Sequence, residues 1–189
     1  MIAMMMLSQA APTTNITGLG TVVGTVYGRD VAWYRGIPYA EAPVGKLRFQ
    51  PPQPHKPWST PLQATKFGSA CMQKSASHMS EDCLFLNVAT PVNPAPAKLP
   101  VMIWIHGGSY VSGSSTLYHN EVLVAMSNLS VVCVTVNYRL GAYSRPVASH
   151  RVHTSYISTQ AYSAFSAART CRRRLPTAAP ATSGSPTSA

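Results

Sequence analysis

Acidic residues are nearly absent from this chain. Its 189 residues include five, Asp30, Glu41, Glu81, Asp82 and Glu121, and nothing acidic follows Glu121. Charge of either sign is sparse at 11%, against roughly a quarter in an ordinary soluble protein. No apolar run reaches the length of about 18 residues that a membrane-spanning helix needs. No Gly-x-Ser-x-Gly occurs anywhere. His55, His78, His119, His150 and His153 show no metal-ligand spacing beyond the last two, so neither a metal nor another cofactor is expected.

What is present is enough for a core. The hydrophobic fraction is 46%, which excludes global disorder, and the length suits one ordinary domain. The net charge of +10 suggests a nucleic-acid partner at first sight, but its placement argues otherwise. Residues 1–142 hold nine Lys or Arg together with all five acids, whereas residues 143–189 hold six Arg and no acid. The excess lies mostly in the tail, forms no stripe and belongs to no recognisable binding module, so no nucleic-acid partner is expected.

The N-terminus, MIAMMMLSQAAPTT, has a seven-residue apolar stretch followed by small residues. Residues 1–17 resemble a short signal peptide without its positive n-region; a disordered start and a buried first strand are the alternatives. A secretory location is the corresponding expectation. Asn15-Ile16-Thr17 and Asn128-Leu129-Ser130 fit the N-glycosylation pattern, which matters only on a secretory route and also arises by chance.

From Gly18 the chain reads as strands and turns. Thr21 to Val26 and Val31 to Tyr34, joined through Tyr27-Gly28-Arg29-Asp30, predict a hairpin. Gly36 to Pro61 holds seven prolines and should be irregular, anchored by Phe49 and Trp58. Cys83 to Val88, Val101 to Ile105 and Val131 to Val136 predict strands. Between the last two, Leu117 to Ser127 predicts a helix with Leu117, Val122, Leu123, Ala125 and Met126 on its apolar face. Strand, loop, helix and strand in that order form a βαβ unit of a parallel sheet. A pair of antiparallel sandwich strands is the alternative, and the intervening helix argues against it. Past residue 142, 28 of 47 residues are Ser, Thr, Ala or Pro. A weak helix over Tyr156 to Arg174 and a disordered low-complexity end are expected there.

His106-Gly107-Gly108-Ser109 directly follows the strand at Val101 to Ile105. Small residues at such a turn can aim successive N–H groups at the oxygen of a tetrahedral intermediate. A tight strand-to-helix connection without catalytic role explains the local pattern equally well.

Five stretches together carry a resemblance. They are Tyr34-Arg35-Gly36-Ile37-Pro38-Tyr39-Ala40, Pro43-Val44-Gly45-Lys46-Leu47-Arg48-Phe49 and Glu81-Asp82-Cys83-Leu84-Phe85-Leu86-Asn87-Val88. Further on come Leu99-Pro100-Val101-Met102-Ile103-Trp104-Ile105-His106-Gly107-Gly108 and Val134-Thr135-Val136-Asn137-Tyr138-Arg139-Leu140-Gly141. In order and spacing they resemble the N-terminal part of the type-B carboxylesterases, the family of cholinesterases and fungal lipases. The resemblance covers residues 18–142 and implies an incomplete α/β-hydrolase fold: an N-terminal hairpin plus the first strands of a central mixed, mostly parallel sheet. It implies hydrolysis of carboxylic esters by a serine, a glutamate and a histidine. An adhesion or binding protein that uses the same fold without catalysis is the alternative.

Carried onto this chain, the resemblance assigns the oxyanion-hole N–H groups to Gly108 and Ser109. The family usually has glycine at the second position, so Ser109 keeps the donor but loses freedom of φ. Cys71 and Cys83 resemble the family's disulfide, with free buried cysteines as the alternative; closing that loop is worth roughly 2–3 kcal/mol. Glu81 and Asp82 resemble structural partners, with Arg48 and Arg139 as ion-pair candidates, since neighbouring residues on an extended segment diverge. His106 is expected to orient the loop. Cys133 reads as core packing, and Cys171 has no evident partner.

None of the three catalytic groups is found on this chain, so inactivity is expected. An ester substrate is a partner only where a full-length enzyme exists. Residues 143–189 read as foreign to the family, as a frameshift, a truncated product or an incomplete reading of the gene would make them. The resemblance also leaves Val101–Ile105 with one neighbouring strand, exposing an edge beside Met102 and Trp104 through which the chain could self-associate.

Overall fold

Alternation of side chains along β-strands decides the architecture. The computed structural model describes residues 10–93 and 98–143. The segment before residue 10, the helix expected over Tyr156 to Arg174, Cys171 and the low-complexity end lie outside the described residues. Five strands form the main sheet: β3 (Thr25–Tyr27), β4 (Val31–Pro38), β8 (Phe85–Pro91), β9 (Val101–Ile105) and β10 (Val132–Val136). Their order is β3-β4-β8-β10-β9. Pairing is antiparallel from β3 through β10 and parallel between β10 and β9. The single helix of more than one turn among the described residues, α1 (Asn120–Met126), connects β9 to β10. The βαβ unit read from the sequence is therefore present, as is the hairpin at Tyr27 to Asp30.

Both faces of the sheet are apolar, for a period-two reason. Ala32 and Tyr34 of β4, Leu86 and Val88 of β8, and Val132, Val134 and Val136 of β10 point into the larger core. Val31, Trp33, Ala89 and Cys133 point the other way and meet Val124 of α1 in a smaller cluster. Around the larger core lie a three-stranded sheet of β1 (Thr13–Ile16), β2 (Gly20–Val23) and β5 (Leu62–Gln63), and a parallel pair of β6 (Ala70–Cys71) and β7 (Met79–Ser80).

Several local expectations are corrected. The strand read over Thr21 to Val26 is two strands in two sheets, broken at Gly24, where a Cβ would strike the Tyr34 ring and the Trp33 carbonyl. β4 runs on to Pro38, inside the segment expected to be irregular. Trp58 anchors that segment as expected, packing on the core and donating from Nε1 to Thr21 O at 2.7 Å. Phe49 does not: it is exposed, with φ of 63°. The helix buries a face other than the predicted one. Asn120, Glu121 and Val124 are buried, whereas Leu123 and Met126 are exposed and Leu117 sits in the preceding 3-10 turn, Ser115–Leu117, also exposed.

A candidate oxyanion loop and its supports

β9 delivers the chain to His106 at the C-terminal end of the parallel pair. His106 is buried, and its ring stacks on Tyr138 with centroids 4.4 Å apart. Its Nδ1 donates to Gly107 O at 2.9 Å, while the Tyr138 hydroxyl donates to His106 O at 2.6 Å. Burial lowers the His106 pKa, against the opposing pull of the Gly107 carbonyl. The ring therefore favours the neutral state and acts as a wedge that fixes the start of the loop.

Beyond it the backbone turns in the left-handed region. Gly108, Ser109 and Tyr110 have φ of 116°, 52° and 61°. Gly108 O accepts from the N–H groups of Val111 and Ser112 at 3.0 and 3.1 Å, closing the turn. The N–H groups of Gly107, Gly108 and Ser109 have no acceptor among the described residues, and all three residues are exposed. Backbone donors of this kind, held by a closed turn, can meet a developing negative oxygen. The serine at the usual glycine position thus adopts the conformation for which glycine is favoured.

The loop is held from behind. Gln73 grips Gly113 on both sides, with Gly113 N–H donating to Gln73 Oε1 at 2.9 Å and Gln73 Nε2 donating to Gly113 O at 2.8 Å. Gln73 lies in the segment closed by the Cys71–Cys83 disulfide, which is present. Tyr110 O accepts from Gly141 N–H at 2.7 Å, tying the loop to the stretch after β10. Sequence reasoning missed Gln73; its only signal was a position between the two cysteines.

The other sequence-predicted residues gather away from the loop's donors. Arg48 and Glu81 form a two-point ion pair, with Nε and Nη2 each 2.6 Å from a carboxylate oxygen. Asp82 diverges from Glu81: its backbone N–H donates to Ser80 Oγ, and packing raises its carboxyl pKa against an opposing effect of His55. Arg139 donates from Nη2 to Gln50 O at 2.8 Å and shares a small cleft with Arg48, Glu81 and the disulfide. Cys133 is buried in the smaller cluster, its thiol pushed up to about 11 by burial.

Three buried asparagines tie the strands to the loop region; two of them, Asn87 and Asn137, lie within the family-like stretches, though the sequence assigns none of the three a role. Asn87 accepts from Gly36 N–H and donates to Ser115 Oγ and Thr135 Oγ1. Asn137 accepts from Ser115 N–H and donates to Ser69 O. Asn120 accepts from Trp33 Nε1 and donates to Cys133 O. Among the described residues no three His, Cys, Asp or Glu side chains cluster as metal ligands, and no helix is long and apolar enough to cross a membrane.

A mixed sheet with a βαβ unit, and a glycine loop at the end of its parallel strand, define part of an α/β-hydrolase. The carboxylesterase family model matches residues 10–144, and the chain belongs to that family. It is 41% identical over 157 residues to acetylcholinesterase of Electrophorus electricus, covering 72% of this chain and 25% of that protein. It is 43% identical over 138 residues to para-nitrobenzyl esterase of Bacillus subtilis, covering 67% and 27%. Aspergillus niger EstA superposes with a TM-score of 0.69 at 28% identity, covering 84% of this chain and 33% of that one. The chain therefore spans about a quarter to a third of the proteins it matches, and its lineage is that of ester hydrolases.

Proposed function

We propose that this chain is the N-terminal portion of a serine carboxylic-ester hydrolase domain in which Gly108 and Ser109 supply backbone N–H groups to the oxyanion hole. The observation that carries the reading is the turn at Gly107 to Tyr110. The N–H groups of Gly107, Gly108 and Ser109 have no acceptor among the described residues, Gly108 to Tyr110 are left-handed, and the Gly108 carbonyl closes the turn. In such a site the ester carbonyl oxygen gains negative charge on attack, and fixed N–H dipoles stabilise it without reorganising. His106, Gln73 and the disulfide position the loop; Arg48, Glu81, Asp82 and Arg139 hold the structure beside it.

The family portion in this reading is the 10–144 that the family model matches, wider than the 18–142 read from the sequence, and the residues after it are a tail foreign to the family. The 189 residues hold no Gly-x-Ser-x-Gly and no acid beyond Glu121, and oxyanion donors without a nucleophile and base leave at best weak catalysis. The chain as it stands is thus inactive. A secretory location is supported by the apolar N-terminus and by a disulfide, which persists in oxidising compartments. Self-association through β9 belongs to the same reading.

The test is hydrolysis of p-nitrophenyl acetate and butyrate by the purified chain, with Ser109→Ala and circular dichroism on the same samples. Turnover no greater than that of denatured protein is expected. Turnover by the folded chain that Ser109→Ala abolishes would overturn the reading and make Ser109 a nucleophile.

A further inference from the structure

The turn after α1 is built from Asn128-Leu129-Ser130. Asn128 and Leu129 are both left-handed, with φ of 54° and 58°. Leu129 N–H reaches back to Val124 O at 3.2 Å, and Ser130 N–H to Ser127 O at 3.3 Å. Asparagine is the usual alternative to glycine in a left-handed helix stop. That role uses only the backbone. The side-chain amide of Asn128 is exposed and has no hydrogen-bond partner among the described residues, while Leu129 turns inward against the smaller core. The acceptor asparagine is thus presented outward on a turn that its neighbour pins in place.

The other triplet of this kind differs. Asn15 lies within β1, paired opposite Thr21 of β2, with Nδ2 3.5 Å from Thr21 Oγ1.

We propose that Asn128 is an N-glycosylation site. The step joins Nδ2 of Asn128 to the anomeric carbon of an oligosaccharide carried on a lipid diphosphate. The bond from that carbon to the diphosphate oxygen breaks, the lipid diphosphate leaves with the electron pair, and the amide loses one proton. Nothing in the fold opposes the product. Val101 pairs with Val132 at one end of the parallel strands and Ile105 with Val136 at the other. Asn128 precedes the first end and the Gly107–Tyr110 turn follows the second, so the glycan and the oxyanion loop lie at opposite ends of the sheet. The proposal rests on the secretory reading, since the donor and its transferase act in the secretory lumen.

The test separates the two. The full chain is translated with eukaryotic microsomes, once with its own N-terminus and once behind a heterologous cleavable signal peptide that ensures entry. Protease protection of the unfused chain reports on the secretory reading alone. In the signal-fused series, Asn15→Gln should keep one band shift removable by endoglycosidase, and Asn15→Gln with Asn128→Gln should lose it. Ser130→Ala in the Asn15→Gln background should lose it too, and Ser130→Thr should keep it. An Asn15→Gln chain that enters the lumen without a shift, or a shift that survives Asn128→Gln in the Asn15→Gln background, would overturn the assignment. Ser130→Thr, which changes the residue but keeps the acceptor motif, separates loss of the acceptor from a folding defect.

Discussion

Ser109 and Tyr110 place two side chains in succession where a Cβ is crowded, at φ of 52° and 61°. Left-handed backbone costs an L-residue on the order of 1–2 kcal/mol, and glycine escapes it while losing more freedom on folding. Ser109→Gly should therefore stabilise the chain by about 0.5–1 kcal/mol and leave the N–H donor intact. Ser109→Val should destabilise it, because a β-branched side chain tolerates this region least. Thermal melts of the three proteins check the order. Gly108 tolerates nothing larger: a Cβ there would overlap the Ser112 carbonyl, which is backbone and cannot move aside alone. His106 predicts a pH effect of known sign. Burial holds its pKa below the ordinary 6.5, so the unfolded chain binds that proton at a higher pH than the folded one. The contribution of the neutral ring is complete above the unfolded value and is lost as pH falls through and below it. Denaturant midpoints at about pH 7 and pH 5 should fall more steeply for the native chain than for His106→Phe. Equal slopes would show that another group controls the acid limb.

At the scale of elements, α1 docks through polar atoms. Asn120 alone satisfies Trp33 Nε1, Asn87 O and Cys133 O, and Glu121 beside it is buried with His119 Nδ1 at 3.0 Å from Oε1. Apolar periodicity looked for Leu117, Leu123 and Met126 on the buried side because hydrophobicity was the only cue available. A seven-residue helix buries too little for that cue to govern, and buried hydrogen bonds selected the face instead. The strands were legible for the opposite reason. Val101–Ile105 and Val132–Val136 are apolar runs of strand length, which admit few other readings, although only the second is buried throughout. The loop was legible as glycine chemistry, but its grip by Gln73 was not, since that contact joins residues 40 apart. Asn120→Leu should cost about 2–3 kcal/mol by leaving buried partners unsatisfied, measured by urea denaturation. Gln73→Ala, or reduction of Cys71–Cys83, should speed amide exchange across 107–113 while exchange in β8 and β10 stays slow. Unchanged exchange in that loop would mean that Gln73 and the disulfide do not hold it.

At the scale of the whole molecule, the decisive feature is that among the described residues the main sheet ends at β9. On one side β9 pairs with β10; on the other no strand follows among the described residues. Met102 and Trp104 are exposed there and, with Leu117 and Leu123, line a groove of about 360 Å³ beside α1. The edge VMIWI holds no charge, proline or bulge that would discourage pairing with another strand. Opposing this is the net charge of +10, which repels two copies at a distance. That repulsion is screened within about 10 Å at 0.1 M salt, whereas strand pairing and apolar contact are not weakened by salt. Self-association should therefore rise with ionic strength, the reverse of an association driven by opposite charges. Sedimentation velocity across a salt series should show larger species for the native chain and fewer for Trp104→Lys, which sets a charge on the edge itself. Val111→Lys supplies the comparison, because it adds the same charge to an exposed apolar residue in the loop and leaves the edge unchanged. If both variants reduce association equally, added charge alone explains the effect. If only Trp104→Lys does, the open strand is the contact.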